Sequence, residues 1–112
     1  MEIRSNELQD IQIISLQGSM DALTAGEVEK YFEHEVDRPG GKVILDLAEV
    51  EFMSSAGLRA IMAISKNLRQ SGGEIRLAAA QPGVEKMLRI SGFTTILKSY
   101  PSLAAANESF AS

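Results

Sequence analysis

With 112 residues, a formal net charge of -4 and no cysteine, the chain is read as one domain spanning residues 1–112, long enough to bury its own core. The missing cysteines exclude disulfides and thiolate metal sites and fit a cytoplasmic protein. Lys and Arg scattered along an acidic chain argue against a nucleic-acid surface, and no apolar run approaches the roughly 18 residues of a membrane span.

The opening Met1-Glu2-Ile3-Arg4 is not read as a signal peptide. Ile3 to Leu8 and Ile11 to Leu16 read as two strands around the polar Gln9-Asp10, a pattern that predicts an antiparallel hairpin. Gly18 is expected to end the second strand. Thr24-Ala25-Gly26-Glu27 has the capping-box form and predicts that a helix starts with Thr24 as its cap. Ala25, Val28, Phe32 and Val36 form its apolar stripe, while Glu27, Glu29, Glu33, Glu35 and Asp37 make an acidic face, read as a solvated surface in preference to a docking one. Pro39-Gly40-Gly41 stops this helix.

Val43 to Leu47 reads as a strand covered on both faces, the centre of a parallel sheet. Phe52 and Met53 are expected to re-enter the core. Leu58, Ile61, Ser65 and Leu68 then recur at helical spacing, which puts Ser54 and Ser55 at a helix start, and Ser71-Gly72-Gly73 closes that helix after about Arg69. Amides left unpaired at the start of a helix make a local positive field, so a phosphate on either serine is tolerated there, with a gain of roughly 0.3 to 1 kcal/mol. Ser54 has the side chain and position of a cap. Arg59, Met62 and Lys66 share a border of the helix; they read as a contact patch or, for Met62, as packing at the core edge.

Glu74 to Ala79 predicts a further strand, with Ala78 to Ala80 small enough for a helix to pack over its end. Pro82 suits a helix's first turn, Val84, Met87, Leu88 and Ser91 mark that helix's buried side, and Gly92 caps it. Thr95 to Lys98 reads as a short last strand, and Leu103, Ala106 and Phe110 as the face of a terminal helix lying on the sheet. Strands alternating with helices after a hairpin define an α/β domain with a mixed, mostly parallel sheet of about five strands and about four helices. Strand order is not legible from this pattern.

An enzyme reading would need a base beside Ser55, and the single histidine, His34, lies among acidic residues far away in sequence. The hydrolase nucleophile elbow, the phosphate-binding Walker loop and calcium-loop spacing are all absent, so neither catalytic residues, cofactor nor metal ligands are assigned.

The stretch Asp46-Leu47, then Phe52-Met53-Ser54-Ser55-Ala56-Gly57-Leu58, resembles the STAS family of anti-sigma factor antagonists, whose motif ends a strand in Asp-Leu and continues Phe-Met-Asp-Ser-Ser-Gly-Leu into a helix. Gly18-Ser19-Met20-Asp21-Ala22-Leu23-Thr24-Ala25 is similar to the family's Gly-x-Leu-Asp-x-x-Thr-Ala segment, and the likeness spans nearly the whole chain. Ser54 replaces the family aspartate, and Ala56 the common second serine or threonine.

The resemblance implies that Ser55 is a phosphorylation site, with Ser54 the second candidate. It implies that the unmodified protein binds an anti-sigma factor that is itself a serine kinase, is phosphorylated from ATP and released, and is restored by a serine phosphatase. The partner surface expected on these grounds comprises Asp21, Thr24, Ser54, Ser55, Ala56, Gly57, Arg59, Met62 and Lys66. Asp21 has two readings: a kinase contact or a side chain that satisfies loop amides. Two alternatives stand beside this scheme: a module of another partner-switching pathway, and one that binds a small anion or nucleotide at the same helix end.

Overall fold

The computed structural model describes residues 1–35, 40–93 and 96–111. Strands β1 (Glu2–Leu8) and β2 (Ile11–Met20) form the expected antiparallel hairpin, Leu8 facing Ile11 across a two-residue turn in which Gln9 takes φ 59. Helix α1 (Ala22–Glu35) follows, then β3 (Lys42–Met53), α2 (Ser55–Gln70), β4 (Glu74–Ala78), α3 (Pro82–Ile90), β5 (Ser99–Tyr100) and α4 (Leu103–Ala111). The sheet order is β1-β2-β3-β4-β5, antiparallel at the first pair and parallel at the other three. This is the mixed, mostly parallel α/β domain that the alternation of elements predicts.

The two faces of the sheet bury different sets of side chains. Ile14, Leu16, Val43, Leu45 and Leu47 turn toward a core shared with α1, α2 and α3, whereas Ile11, Ile13, Ile44 and Ala78 turn the other way, toward Ala106, Leu103 and Phe110 of α4. Burial of both faces explains the near-continuous aliphatic run of β3, and each fully buried Leu or Ile there contributes about 1.5–3 kcal/mol. Arg76 stacks over the Phe110 ring at 4.0 Å, fixing the far end of α4.

Several expectations change. β2 does not stop at Gly18 but runs on to Met20, with Gly18 at φ 122 where the pairing slips. β3 extends well beyond Leu47, since register shifts against β2 insert an extra residue twice: Ser15 and Gln17 face Asp46 and Glu49, and Gly18 and Ser19 face Val50 and Phe52. Val50 and Met53 therefore both point inward although they are an odd number of positions apart, with only Glu51 and Phe52 between them, and Phe52 is left outside, 55% exposed. Ser91 is an exposed C-cap, its hydroxyl donating to Leu88 O, and not part of the buried side of α3. The last strand is Ser99–Tyr100, since Leu77 N–H bonds Lys98 O and Ala79 N–H bonds Tyr100 O; Thr95 lies outside the described residues. So do Val36, Asp37 and Pro39 of the first helical stripe, acidic face and turn.

A candidate partner surface at two helix starts

β2 and β3 end side by side, Met20 opposite Met53, and each feeds directly into a helix. The starts of α1 and α2 are thereby brought to the carboxyl end of the parallel strands, where open α/β sheets place their functional groups. A backbone bond locks the arrangement, the Ser54 N–H donating to Met20 O at 2.9 Å. Gly57 permits the approach: a Cβ there would lie 2.9 Å from Met20 O and 3.1 Å from the Cγ atoms of Met20 and Met53.

The two adjacent serines of α2 have different jobs. Ser54 is the N-cap, in extended conformation with φ -85 and ψ 172, and its Oγ accepts the Gly57 N–H at 3.2 Å. Ser55 is the first helical residue and its side chain is exposed. The first intrahelical bond runs from Leu58 N–H to Ser54 O, which leaves the amides of Ser55 and Ala56 at the open end of the helix. Ala56 is half-buried and Gly57 buried, while Arg59 and Lys66 are exposed along the same helix and Met62 is half-buried against the core, so Met62 does pack at the core edge. At the far end Gly72 N–H bonds Arg69 O and Gly73 N–H bonds Leu68 O, the Schellman closure expected of Ser71-Gly72-Gly73.

Helix α1 is capped by Asp21 and not by Thr24. Asp21 Oδ1 accepts the amides of Leu23 at 3.0 Å and Thr24 at 3.1 Å, and Thr24 Oγ1 returns the bond by accepting the Asp21 N–H at 2.9 Å while donating to Ser19 O at 2.7 Å. The box is shifted three residues toward the N-terminus because the strand ends at Met20 and the next residue must cap. Glu27, displaced from its expected capping role, instead meets the amino terminus of Met1 at 3.5 Å. Asp21 thus satisfies local amides, as one of its two readings requires.

The Asp21 carboxyl is held below the ordinary carboxylate range, first by the Thr24 amide; partial burial opposes this, and the Leu23 amide and Thr24 hydroxyl add to the lowering. A carboxyl depressed on folding stabilises the native state above its unfolded pKa of about 3.9 and loses that contribution as pH falls through the folded value. Asp21→Asn keeps a capping side chain but cannot titrate. Thermal melts taken from about pH 6 to about pH 2 should show a shallower acid limb in the variant than in the parent; superimposable limbs would remove the cap's charge from the account.

Sequence reading missed two apolar residues at this end, Leu23 at 85% and Phe52 at 55% exposure. Leu23 falls on the first turn of α1, where the corrected cap places it outward. Phe52 was hidden by the pairing slips of β3, which no local pattern reports. His34, at the other end of α1, is exposed and about 20 Å along the helix axis from Asp21. Among the described residues, no group of three or more His, Asp or Glu is placed to hold a metal ion, and no helix is long and apolar enough to cross a membrane.

The fold and this end of it define a small α/β domain that presents two capped helix starts and an exposed serine next to one another. The chain belongs to the STAS domain family, which it matches over residues 2–106. It is 34% identical over 110 residues to BtrV of Bordetella bronchiseptica, provisionally named an anti-sigma factor antagonist, covering 98% of this chain and 95% of that protein. In fold it is similar to the crystal structure of an anti-sigma factor antagonist from Mycobacterium paratuberculosis, with a TM-score of 0.86, 24% identity, and 96% and 92% of the two chains covered. It is similar also to the anti-sigma factor antagonist SpoIIAA, solved in its unphosphorylated form, with a TM-score of 0.77, 16% identity, and 99% and 98% covered.

Proposed function

We propose that this protein is an anti-sigma factor antagonist whose binding is switched off by phosphorylation of Ser55. In this scheme the unmodified domain docks on a serine-kinase anti-sigma factor through the helix starts at Asp21 and Ser55, with Thr24, Ser54, Ala56 and Gly57 shaping the surface and Arg59, Met62 and Lys66 extending it. ATP bound by the kinase supplies the phosphate, so the protein works in the cytoplasm, and a serine phosphatase resets it. Catalytic groups belong to the partners: the kinase positions ATP, magnesium and a base at the serine hydroxyl, and no residue of this chain is given a catalytic role.

The division of labour between the serines carries the reading. Ser54 spends its hydroxyl on the Gly57 amide, and Ser55 holds its own out to solvent one residue further on. A dianion at Ser55 would sit beside the open amides of α2, so the fold tolerates it. The names of the relatives support the antagonist role, and SpoIIAA, whose structure is that of an unphosphorylated form, is in keeping with a domain that exists both with and without phosphate.

The test is to incubate the protein with ATP and serine kinases of its own organism and map the phosphate by mass spectrometry. Phosphate is expected on Ser55 alone. Ser55→Ala should abolish the modification, whereas Ser54→Ala should still be modified although it loses a helix cap, about 1 kcal/mol within a range of roughly 0.5–2. Phosphate confined to Ser54, or incorporation unchanged in Ser55→Ala, would overturn the assignment.

A further inference from the structure

A groove of about 560 Å³ runs along the side of α2 away from α1, with Met62, Ala63 and Ile96 as its apolar lining and Lys66 and Arg69 on its margin. Arg69 and Ile96 also line a second, polar depression of about 300 Å³ that continues past Arg76 and Lys98. The two form one continuous surface, apolar at the Met62 end and cationic toward β4 and β5. Among the described residues one acidic side chain, Glu74, lines it, and that carboxylate is 3.0 Å from the Arg76 guanidinium. Arg69 is held in place by donating to Ile96 O at 2.7 Å, which uses one of its five N–H donors.

The charge of this surface opposes that of the chain. From Phe52 to Gly73 the sequence carries Arg59, Lys66 and Arg69 and no Asp or Glu, while α1 carries Glu27, Glu29, Glu33 and Glu35 against Lys30. A docking partner feels the local sign and not the net charge of -4, because at physiological salt the field of a charge decays over about 8 Å. The groove on the opposite side of α2, between that helix and α1, has Glu29 and Glu33 on its margin instead. Helix α2 is thus a ridge between an acidic and a basic groove.

We infer that the basic groove receives an acidic, amphipathic segment of the same anti-sigma factor that contacts Ser55, with apolar side chains against Met62 and Ile96 and carboxylates at Lys66, Arg69 and Lys98. This rests on the reading of Ser55 as the switch, and it adds a second anchor on the same helix, beginning about two turns from that serine at Met62. The apolar end favours a polypeptide over a polyphosphate ligand, which would leave Met62 and Ile96 unused. A preorganised guanidinium beside two flexible ammonium groups suits carboxylates, to whose oxygens it can donate in bidentate fashion. The contact sets orientation: a kinase laid across α2 in the reverse sense would bring its acidic segment against Glu29 and Glu33.

The inference is tested by titrating the kinase that modifies Ser55 with the parent protein, the double variant Lys66→Glu/Lys98→Glu, the control Glu29→Lys/Glu33→Lys, and Ser55→Asp, at two salt concentrations. Both cations are exposed, and circular dichroism checks that each variant folds. The Lys66→Glu/Lys98→Glu protein should bind at least about tenfold more weakly, chiefly through slower association, with a flatter salt dependence, while the Glu29→Lys/Glu33→Lys control should not weaken. Equal affinity of parent and Lys66→Glu/Lys98→Glu, alongside lost binding by Ser55→Asp, overturns the groove and leaves the switch standing. If the parent binds no such kinase, both fail. Self-association of the parent that disappears in Lys66→Glu/Lys98→Glu, with kinase affinity unchanged, assigns the groove to a second copy and overturns the inference.

Discussion

Ser55→Asp is expected to lower affinity for the serine-kinase anti-sigma factor by roughly 30-fold or more while leaving the melting temperature unchanged or slightly higher. The fold tolerates the charge because position 55 is the first residue of α2, exposed, with its own amide and that of Ala56 at the open helix end. An acidic side chain there gains about 0.3–1 kcal/mol from the helix dipole. In the proposed interface no such compensation is expected. A carboxylate desolvated without a matched cation costs about 2–5 kcal/mol of binding, and the lower figure corresponds to the 30-fold loss. Phosphoserine, carrying about -1.5 to -2 charges, should act in the same direction and further. Calorimetric titration alongside thermal melts separates the two quantities; unchanged affinity, or a fall in affinity matched by a fall in stability, would sink the switch.

Gly57→Val is expected to be the most destabilising single change at this end of the molecule, costing about 3 kcal/mol, the upper end of the range for overpacking. The Cβ of any residue at 57 meets Met20 O at 2.9 Å, and that carbonyl cannot retreat without breaking its bond from Ser54 N–H. The Met20 and Met53 side chains are almost completely buried and have little room to give. Gly57→Ala should cost less, because the gain of up to about 1 kcal/mol in helix propensity offsets part of the clash. The valine variant should melt roughly 10 °C lower or more and lose phosphorylation as the start of α2 moves. A valine variant as stable as the parent would mean that the close approach of the two helix starts is not needed.

The features legible in the sequence were those decided by near neighbours. Ser54 as cap, Ser71-Gly72-Gly73 as the closure of α2, and Pro82 at the start of α3 all depend on side chains within four residues of the backbone they serve. The cap of α1 was misplaced for the same local reason: Thr24 and Glu27 are three apart and fit a capping box, while the cap is Asp21, three residues earlier. What sets the cap is nonlocal, the pairing of Met20 with Met53 that carries β2 past Gly18. The length of β3, the outward turn of Phe52, the strand order and the position of β5 at Ser99–Tyr100 all come from pairing between distant segments. In the site, the exposure of Ser55 followed from its place after the cap, whereas its proximity to Asp21 needed the parallel register of two strands.

The bond from Ser54 N–H to Met20 O also bears on how a modifying enzyme meets its target. Ser55 follows directly on a residue tied to the neighbouring strand, so as the proposed acceptor it is offered from the folded sheet and not as a slack tail to be threaded into a cleft. Under the proposed scheme a short synthetic peptide spanning Glu49 to Arg59 makes a poor substrate, because cut loose from Met20 it has neither the cap nor the helix that aims the hydroxyl. Under the same scheme, recognition by shape would limit the enzyme to intact, folded copies, and damaged molecules would drop out of the proposed cycle without any separate quality check.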